Sequence, residues 1–264
     1  MLTIATANVN GIRAAFKRGM GAWIDDRKPD VILLQEVRAP DDLLSGFFGA
    51  GWGLAHAECD VKGRAGVAIA ARLPMSAIRI GLGRGAAVDS GRWVEADLEL
   101  PGGGALTVVS TYLHSGTAGT PSMDDKYAFL DLVTARLVEL AERGGNVVVA
   151  GDLNIAHRNV DLKNWKGNLK AAGFLPAERA YLDRWFDELG FRDVGRELGG
   201  PGPGPYTWWS WRGKAFDNDA GWRIDYQLAT DDLADAAVTA TVDRAAAYDQ
   251  RWSDHAPLVV SYDL

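Results

Sequence analysis

Glu36, Asp152, Asp225 and the adjacent pair Asp254-His255 sit beside short apolar runs, and the amides Asn8, Asn10 and Asn154 sit in the same kind of place. Active-site groups commonly gather where strands end and loops begin. Carboxylates and amides without cysteine are hard oxygen donors, the kind that Mg2+ or Mn2+ takes. A carboxylate in reach of water can also accept its proton. Each residue has an ordinary reading as well. Gly151-Asp152-Leu153-Asn154 favours a turn, a Glu after a strand is commonly solvated, and Asp next to His occurs by chance. Their joint occurrence, in this order and at these strand ends, points to a site.

The elements that must position them alternate short β-like runs with helical patterns. Residues 2–9 read as a strand ending in polar residues. Residues 14–27 read as a helix stopped at Lys28-Pro29. Residues 30–34 form an apolar run into Gln35-Glu36. Residues 65–70, 92–98 and 106–112 are strand candidates. Residues 122–143 carry apolar side chains at helical spacing, with Ser122 and Asp125 resembling a capping box. NVVVA (146–150) reads as a buried strand and 178–189 as an amphipathic helix ending at Gly190. PGPGP (201–205) is a loop. Residues 207–211, 222–229 and 258–261 complete the strands. The simplest arrangement is a single α/β domain over 1–264, with sheets inside and helices outside.

The 264 residues carry 28 Lys+Arg against 35 Asp+Glu, a net charge of −7, which argues against a generic basic nucleic-acid coat. It leaves room for a nuclease with its positive charge on one face. The lone cysteine, Cys59, excludes an internal disulfide framework and a multi-cysteine zinc site. MLTIATANVN has no basic n-region or long apolar h-region, and no apolar run reaches the ~18–20 residues of a membrane span. The expectation is a cytoplasmic protein that acts as a monomer, away from membranes.

The ordered set ANVNGIR (7–13), LLQEVR (33–38), STYLHSG (110–116), GDLNIAH (151–157), GWRIDY (221–226) and SDHAPL (253–258) resembles the exonuclease III family of apurinic/apyrimidinic endonucleases, bacterial type. DLKNWKGN (161–168), AGF (172–174) and YTWWSWR (206–212) add to it, so the resemblance runs from residue 2 to 261. It implies a four-layer α/β sandwich of two face-to-face mixed β-sheets flanked by helices. It implies a nuclease that cuts the phosphodiester 5′ to an abasic site in duplex DNA, with 3′-5′ exonuclease and 3′-end-trimming activity, using Mg2+ or Mn2+. Asn8 and Glu36 resemble the metal ligands, and Asp152, Asn154, Asp254 and His255 fall within the same ligand sphere. Asp152 resembles the group that handles the water or leaving-group proton, and Asn154 its phosphate-binding neighbour. Asp254 and His255 resemble an Asp-His pair in which Asp orients the imidazole, with Asp225 close by. Tyr112 resembles the phosphate-contacting tyrosine. Asn10, Arg13 and Asn168 resemble substrate contacts, and Trp208 and Trp222 the walls that receive an extruded abasic sugar. These types suit the reaction: imidazolium, phenol and amide are donors that can be aimed at phosphoryl oxygens.

Departures from the family pattern stand beside the matches. Ala171 occupies a place where some relatives have asparagine, and His114 follows Tyr112 where relatives often have Tyr-x-Pro. His114 is read as a loop hydrogen-bonder, the alternative being a second catalytic histidine of the pancreatic deoxyribonuclease kind. The chain opens directly on its first strand, without the regulatory extension of some eukaryotic relatives. His56, His157 and Cys59 receive no functional role. Arg13, Lys17, Arg18, Arg38, Lys62, Arg64, Lys163, Lys166 and Lys170 are phosphate-contact candidates, the alternative being solvated surface charge. Two other functions are possible on such a scaffold: an inositol-phosphate or sphingomyelin phosphodiesterase, and a DNA-binding protein without catalysis. The full motif set favours the DNA enzymes, and no metal or Asp-His residue is missing.

Overall fold

The computed structural model describes residues 1–83 and 87–264. The strands are β1 (Leu2–Asn8), β2 (Val31–Gln35), β3 (Gly53–Ala57), β4 (Val67–Ala71), β5 (Met75–Ile80), β6 (Trp93–Glu99), β7 (Ala105–Tyr112), β8 (Asn146–Asp152), β9 (Arg192–Asp193), β10 (Asp225–Ala229), β11 (Ala237–Val242) and β12 (Leu258–Tyr262). The helices are α1 (Ile12–Lys17), α2 (Met20–Arg27), α3 (Asp41–Leu44), α4 (Ser122–Arg143), α5 (Pro176–Asp187), α6 (Val194–Gly199) and α7 (Asp231–Asp235). One sheet runs β11-β12-β1-β2-β4-β3, the other β5-β6-β7-β8-β10-β9. Both are mixed: β1/β2 and β7/β8 are parallel, and the other named pairs are antiparallel.

Side-chain parity builds the layers. Successive residues of a strand point to opposite faces. Leu2 and Ile4, Val31 and Leu33, Leu106 and Val108, and Val148 and Ala150 share one core between the sheets. Their neighbours of opposite parity face outward: Ala7, Ile32 and Leu34 meet Ile12, Met20 and Ile24 of α1 and α2. On the other side Val147 and Val149 meet Phe129, Val133 and Leu137 of α4 and Leu182 and Trp185 of α5. The result is four layers, helix-sheet-sheet-helix, as the resemblance implied. Burying each such aliphatic or aromatic side chain stabilises the fold by about 1.5–3 kcal/mol.

The inward parity continues past the apolar core and changes character. Thr6 donates to Gln35 (3.2 Å), Gln35 Nε2 donates to Ser110 Oγ across the sheets (2.9 Å), and Gln227 Nε2 donates back across to the Ile4 carbonyl (2.9 Å). This polar belt cross-links the two sheets. One step further along the same faces come Asn8, Tyr112, Asp152 and Asp225. The register sets Tyr112 and Asp225 opposite Asp152 on its two flanks.

Four local expectations are corrected. Residues 14–27 are two helices, α1 and α2, broken at Arg18-Gly19, where Gly19 takes φ 113°. Ser122 forms no capping box: α4 opens after Pro121 without a side-chain cap, and Ser122 Oγ accepts from the Thr117 N–H instead (2.9 Å). The second helix is Pro176–Asp187, not 178–189. The last region is less strand-like than its composition suggests, because β10 starts only at Asp225 and Trp208 and Trp222 meet in an isolated bridge.

Candidate active site

Asp152 ends β8 directly after Gly151. A Cβ at position 151 would lie 1.9 Å from the Thr111 carbonyl of β7, at φ 150°, so only glycine lets the strands approach this closely. Beyond it Asn154 turns left-handed (φ 50°). Its N–H donates to Asp152 Oδ1 (2.9 Å), and its amide donates to the Leu113 carbonyl (2.9 Å) and Asp152 Oδ2 (3.2 Å). Glu36 and Asn10 are also left-handed, at φ 51° and 45°. Such conformations concentrate where surrounding contacts dictate the backbone.

Asn8 Nδ2 donates to both Glu36 Oε1 and Asp152 Oδ2, at 2.9 Å each. One amide thus brings together carboxylates from the two sheets. Arg38 pairs with the other oxygen of Glu36. His255 Nδ1 donates to Asp225 Oδ2 (2.9 Å), and its Nε2 lies 3.7 Å from Asp152 Oδ2, too far for a hydrogen bond. The histidine's backbone N–H donates to Ser253 Oγ (3.2 Å), which in turn donates to the Asn8 carbonyl (2.7 Å).

Burial dominates the electrostatics. It pushes the Asp152 carboxyl up to about 7; the His255 charge opposes this, and the Asp225 and Glu36 carboxylates add to it. Burial alone would lower His255, but the Asp225 and Asp152 carboxylates outweigh it and push the imidazolium up to about 10. Burial, with the Glu36 and Asp152 charges, holds the Tyr112 phenol well above its usual value. At neutral pH the cluster therefore offers a cationic imidazole and a carboxyl poised to exchange its proton.

These groups open into a cleft of about 350 Å3, lined also by Asn10, Ser115, Gly173, Trp208 and Trp222. The tryptophan rings meet edge to face, 6.4 Å apart. The cleft thus gathers Asn10, Glu36, Tyr112, Asp152, Asn154, Trp208, Trp222, Asp254 and His255, with Asn8 and Asp225 bonded immediately behind them.

Three predicted residues differ in their placing. Asp225, not Asp254, holds the imidazole; Asp254 instead accepts from Asn10 Nδ2 (2.8 Å) and Trp208 Nε1 (3.1 Å). Asn168 stays in its own turn, donating to the Asn164 carbonyl (2.9 Å), and does not line the cleft. Arg13 lies in an adjoining groove with Arg38, Lys62 and Arg64. His114 bonds the Val88 carbonyl through Nε2 (2.8 Å), as a loop residue should. Two contributors escaped the sequence reading. Arg92 stacks 4.9 Å over the Tyr112 ring and donates to the Tyr112 carbonyl (3.1 Å), and Lys126 lies buried beneath Asn154. Lys126 shares the helical phase of Phe129, Leu130, Val133 and Leu137, so a lysine on an apolar stripe was the available signal.

The pattern of the Endonuclease/Exonuclease/phosphatase family matches residues 5–255, nearly all of the span that builds this cleft. The chain belongs to that family. Within it the chain is of the exonuclease III type. It is 30% identical to an exodeoxyribonuclease of Bacillus subtilis over 95% of each protein. An AP endonuclease structure from Archaeoglobus fulgidus superimposes with TM-score 0.88 at 29% identity, covering both chains completely. A Neisseria 3′ phosphatase bound to a product DNA hairpin superimposes with TM-score 0.87 at 26% identity, again over both whole chains. A family member of this type is a nuclease, a phosphodiester hydrolase.

Proposed function

We propose that this protein is a divalent-metal-dependent DNA-repair nuclease that hydrolyses the phosphodiester 5′ to abasic sites in duplex DNA, with 3′-5′ exonuclease and 3′-end-trimming activity. The observation that carries the reading is the pairing of His255 and Asp152 across the floor of a cleft walled by Trp208 and Trp222. The named activities of the Bacillus, Archaeoglobus and Neisseria relatives support it.

In this reading the Asp225-held imidazolium donates from Nε2 to a phosphoryl oxygen, joined by the Tyr112 hydroxyl and by the Asn154 amide, which gives up its longer bond to Asp152 (3.2 Å) to do so. Asp152 exchanges a proton with the attacking water or the departing oxygen. Asp254 locks Asn10 and Trp208 into the cleft rim. The donor set fits a hard cation. Glu36, Asp152 and Asp225 crowd negative charge into a buried space, and Asp225 Oδ1 has no hydrogen-bond partner among the described residues. Asp152, Asp225 and His255 can each bring one ligand atom within 4.8 Å of the others. Because His255 is an imidazolium tied to Asp225, we assign the metal to Glu36 and Asp152, assisted by the side-chain oxygens of Asn8 and Asn154. Bound Mg2+ or Mn2+ would stabilise charge on the phosphoryl oxygens.

An extruded abasic sugar costs less to unstack than a paired nucleotide, and apolar walls accept it. Arg13, Arg38, Lys62 and Arg64 would hold the flanking backbone. We propose that the protein acts as a monomer, to be checked by its mass in solution. No helix among the described residues is long and apolar enough to cross a membrane. The lone thiol of Cys59 suits a cytoplasmic setting.

The test is a duplex carrying one abasic analogue, incubated with and without Mg2+ and sized. Incision 5′ to the analogue, abolished by EDTA and restored by Mg2+, is expected. Equal single-turnover rates on abasic and intact duplex would refute the abasic specificity and leave a 3′ exonuclease; undiminished cleavage in EDTA would refute the metal.

A further inference from the structure

Lys126 and Glu178 are fully buried and pair at 2.5 Å beneath the cleft. Neither belongs to the catalytic cluster. A fully buried ion pair rarely adds to stability over an apolar pair of similar volume, because desolvating two charges is expensive. Its contacts suggest another use. Lys126 Nζ donates to the Asn154 carbonyl (2.9 Å) and the Ser115 carbonyl (3.3 Å). Glu178 accepts the Gly173 N–H with both oxygens (2.9 and 2.8 Å) and the Leu175 N–H (3.0 Å).

Ser115, Asn154 and Gly173 come from three separate loops, and all three line the cleft. A Cβ on Gly173 would sit 2.9 Å from the Asn154 carbonyl and 3.3 Å from the Trp222 ring. The loops are therefore in close contact, and Asn154 keeps its left-handed backbone within that contact. The N–H of Asn154 is held by Asp152 and its carbonyl by Lys126.

We infer that Lys126 and Glu178 form a positioning pair, which fixes the Asn154, Ser115 and Gly173 loops so that the Asn154 amide and the tryptophan wall meet the phosphate in one geometry. The inference rests on the nuclease reading of the cleft. It predicts that the pair acts on turnover separately from stability. Misplacing an aligned group by about 1 Å can cost about 100-fold in rate.

The test compares Lys126→Met, Glu178→Leu and the double variant Lys126→Met/Glu178→Leu on the abasic duplex. Each single variant leaves one buried charge alone, and both stability and kcat should fall. The double variant removes both buried charges but leaves the Gly173 and Leu175 N–H groups without their acceptor. Its urea midpoint should therefore recover only part of the single-variant loss, while kcat stays at least tenfold down and KM moves less than threefold. Recovery of kcat together with the midpoint would overturn the inference. If the double variant fails to fold, Glu178→Gln carries the test: it should lower kcat tenfold or more with the far-UV spectrum unchanged, and wild-type kcat in it overturns the inference. Amide exchange gives a readout independent of activity. In the double variant, or in Glu178→Gln, the N–H of Gly173 should exchange at least tenfold faster while the β8 amides stay protected. Unchanged Gly173 exchange, or a uniform acceleration, would overturn the inference. Should the wild-type protein fail to cleave DNA, the proposed function falls and the exchange test still stands.

Discussion

Two buried ionic clusters, each with two aspartates, lie on either side of β10 and are opposite in character. On one side Arg223 donates to Asp161 (2.6 Å) and to both oxygens of Asp193 (3.2 and 2.7 Å), and Arg196 pairs with Asp161 as well. Two guanidiniums face two carboxylates. On the other side Glu36, Asp152 and Asp225 crowd around His255, with Arg38 pairing Glu36 at the rim. The first cluster is neutralised: burial pushes the Asp161 carboxyl up, but the Arg223 and Arg196 charges outweigh it and leave the group below its usual value. The second is overcharged, and Asp152 titrates near neutrality. A balanced buried network holds structure, whereas an unbalanced one holds a cation or moves a proton.

The sharpest break in this comparison is to remove the unbalanced members. His255→Asn and Asp152→Asn should each lower single-turnover cleavage by at least ~10²-fold, with DNA affinity retained. Near wild-type rates would remove either residue from the reaction. The reverse holds for the balanced cluster. Arg223→Met leaves Asp193 without its guanidinium and Asp161 with Arg196 alone, and should cost about 3–5 kcal/mol, read from urea unfolding. A loss below about 1 kcal/mol would show that the network is not structural.

pH should separate the two clusters further. Asp161 is depressed when folded, so its stabilisation is present above the unfolded value of 3.8 and is lost as pH falls through its lower folded value. Asp152 is raised, so the native state binds the extra proton between about 4 and 7 and stability falls as pH rises through that window. His255 continues the decline from its unfolded value of 6.5 to about 10. Asp152→Asn should therefore gain stability over the wild type as pH rises from 4 to 7 in EDTA. A difference that stays constant across that range would contradict the raised carboxyl. The smallest effect belongs to His114, which faces neither cluster: His114→Ala should change turnover by no more than several-fold. Near-total loss with folding intact would make it a second catalytic histidine.

Much of the site was legible because its polar motifs adjoin apolar runs: Asn8, Glu36 and Asp152 follow one, and Asp225 and Asp254-His255 precede one. Inward parity carries straight from Ile4 to Asn8 and from Val148 to Asp152. What the sequence hid depends on contacts between distant segments. Asp225 rather than Asp254 holds His255 because antiparallel pairing places Asp225 opposite Asp152, and nothing local to WRIDY or SDHAPL announces that register. Asn168 lies in a motif like its neighbours, yet its amide is satisfied within its own turn. Lys126 and Glu178 lie on different helices, and only the packing of α4 against α5 makes them a pair. The break at Gly19 was readable as a glycine within a helical pattern, but the surrounding apolar spacing masked it.

The hydrogen bond from Asn8 to Asp152 spans 144 residues, and that from Asn10 to Asp254 spans 244. The strand carrying the Asp254-His255 loop, β12, seals its sheet by pairing with β1. Contacts of such sequence separation close large loops, which slows folding. A chain emerging from the ribosome therefore carries Glu36 and Asp152 well before it can cut. The imidazole reaches Asp225 only with the segment around residue 255 docked beside the first strand. A chain interrupted before that segment has neither the imidazole that Asp225 holds nor the carboxylate that fixes Asn10, so the cluster exists only in the completed fold.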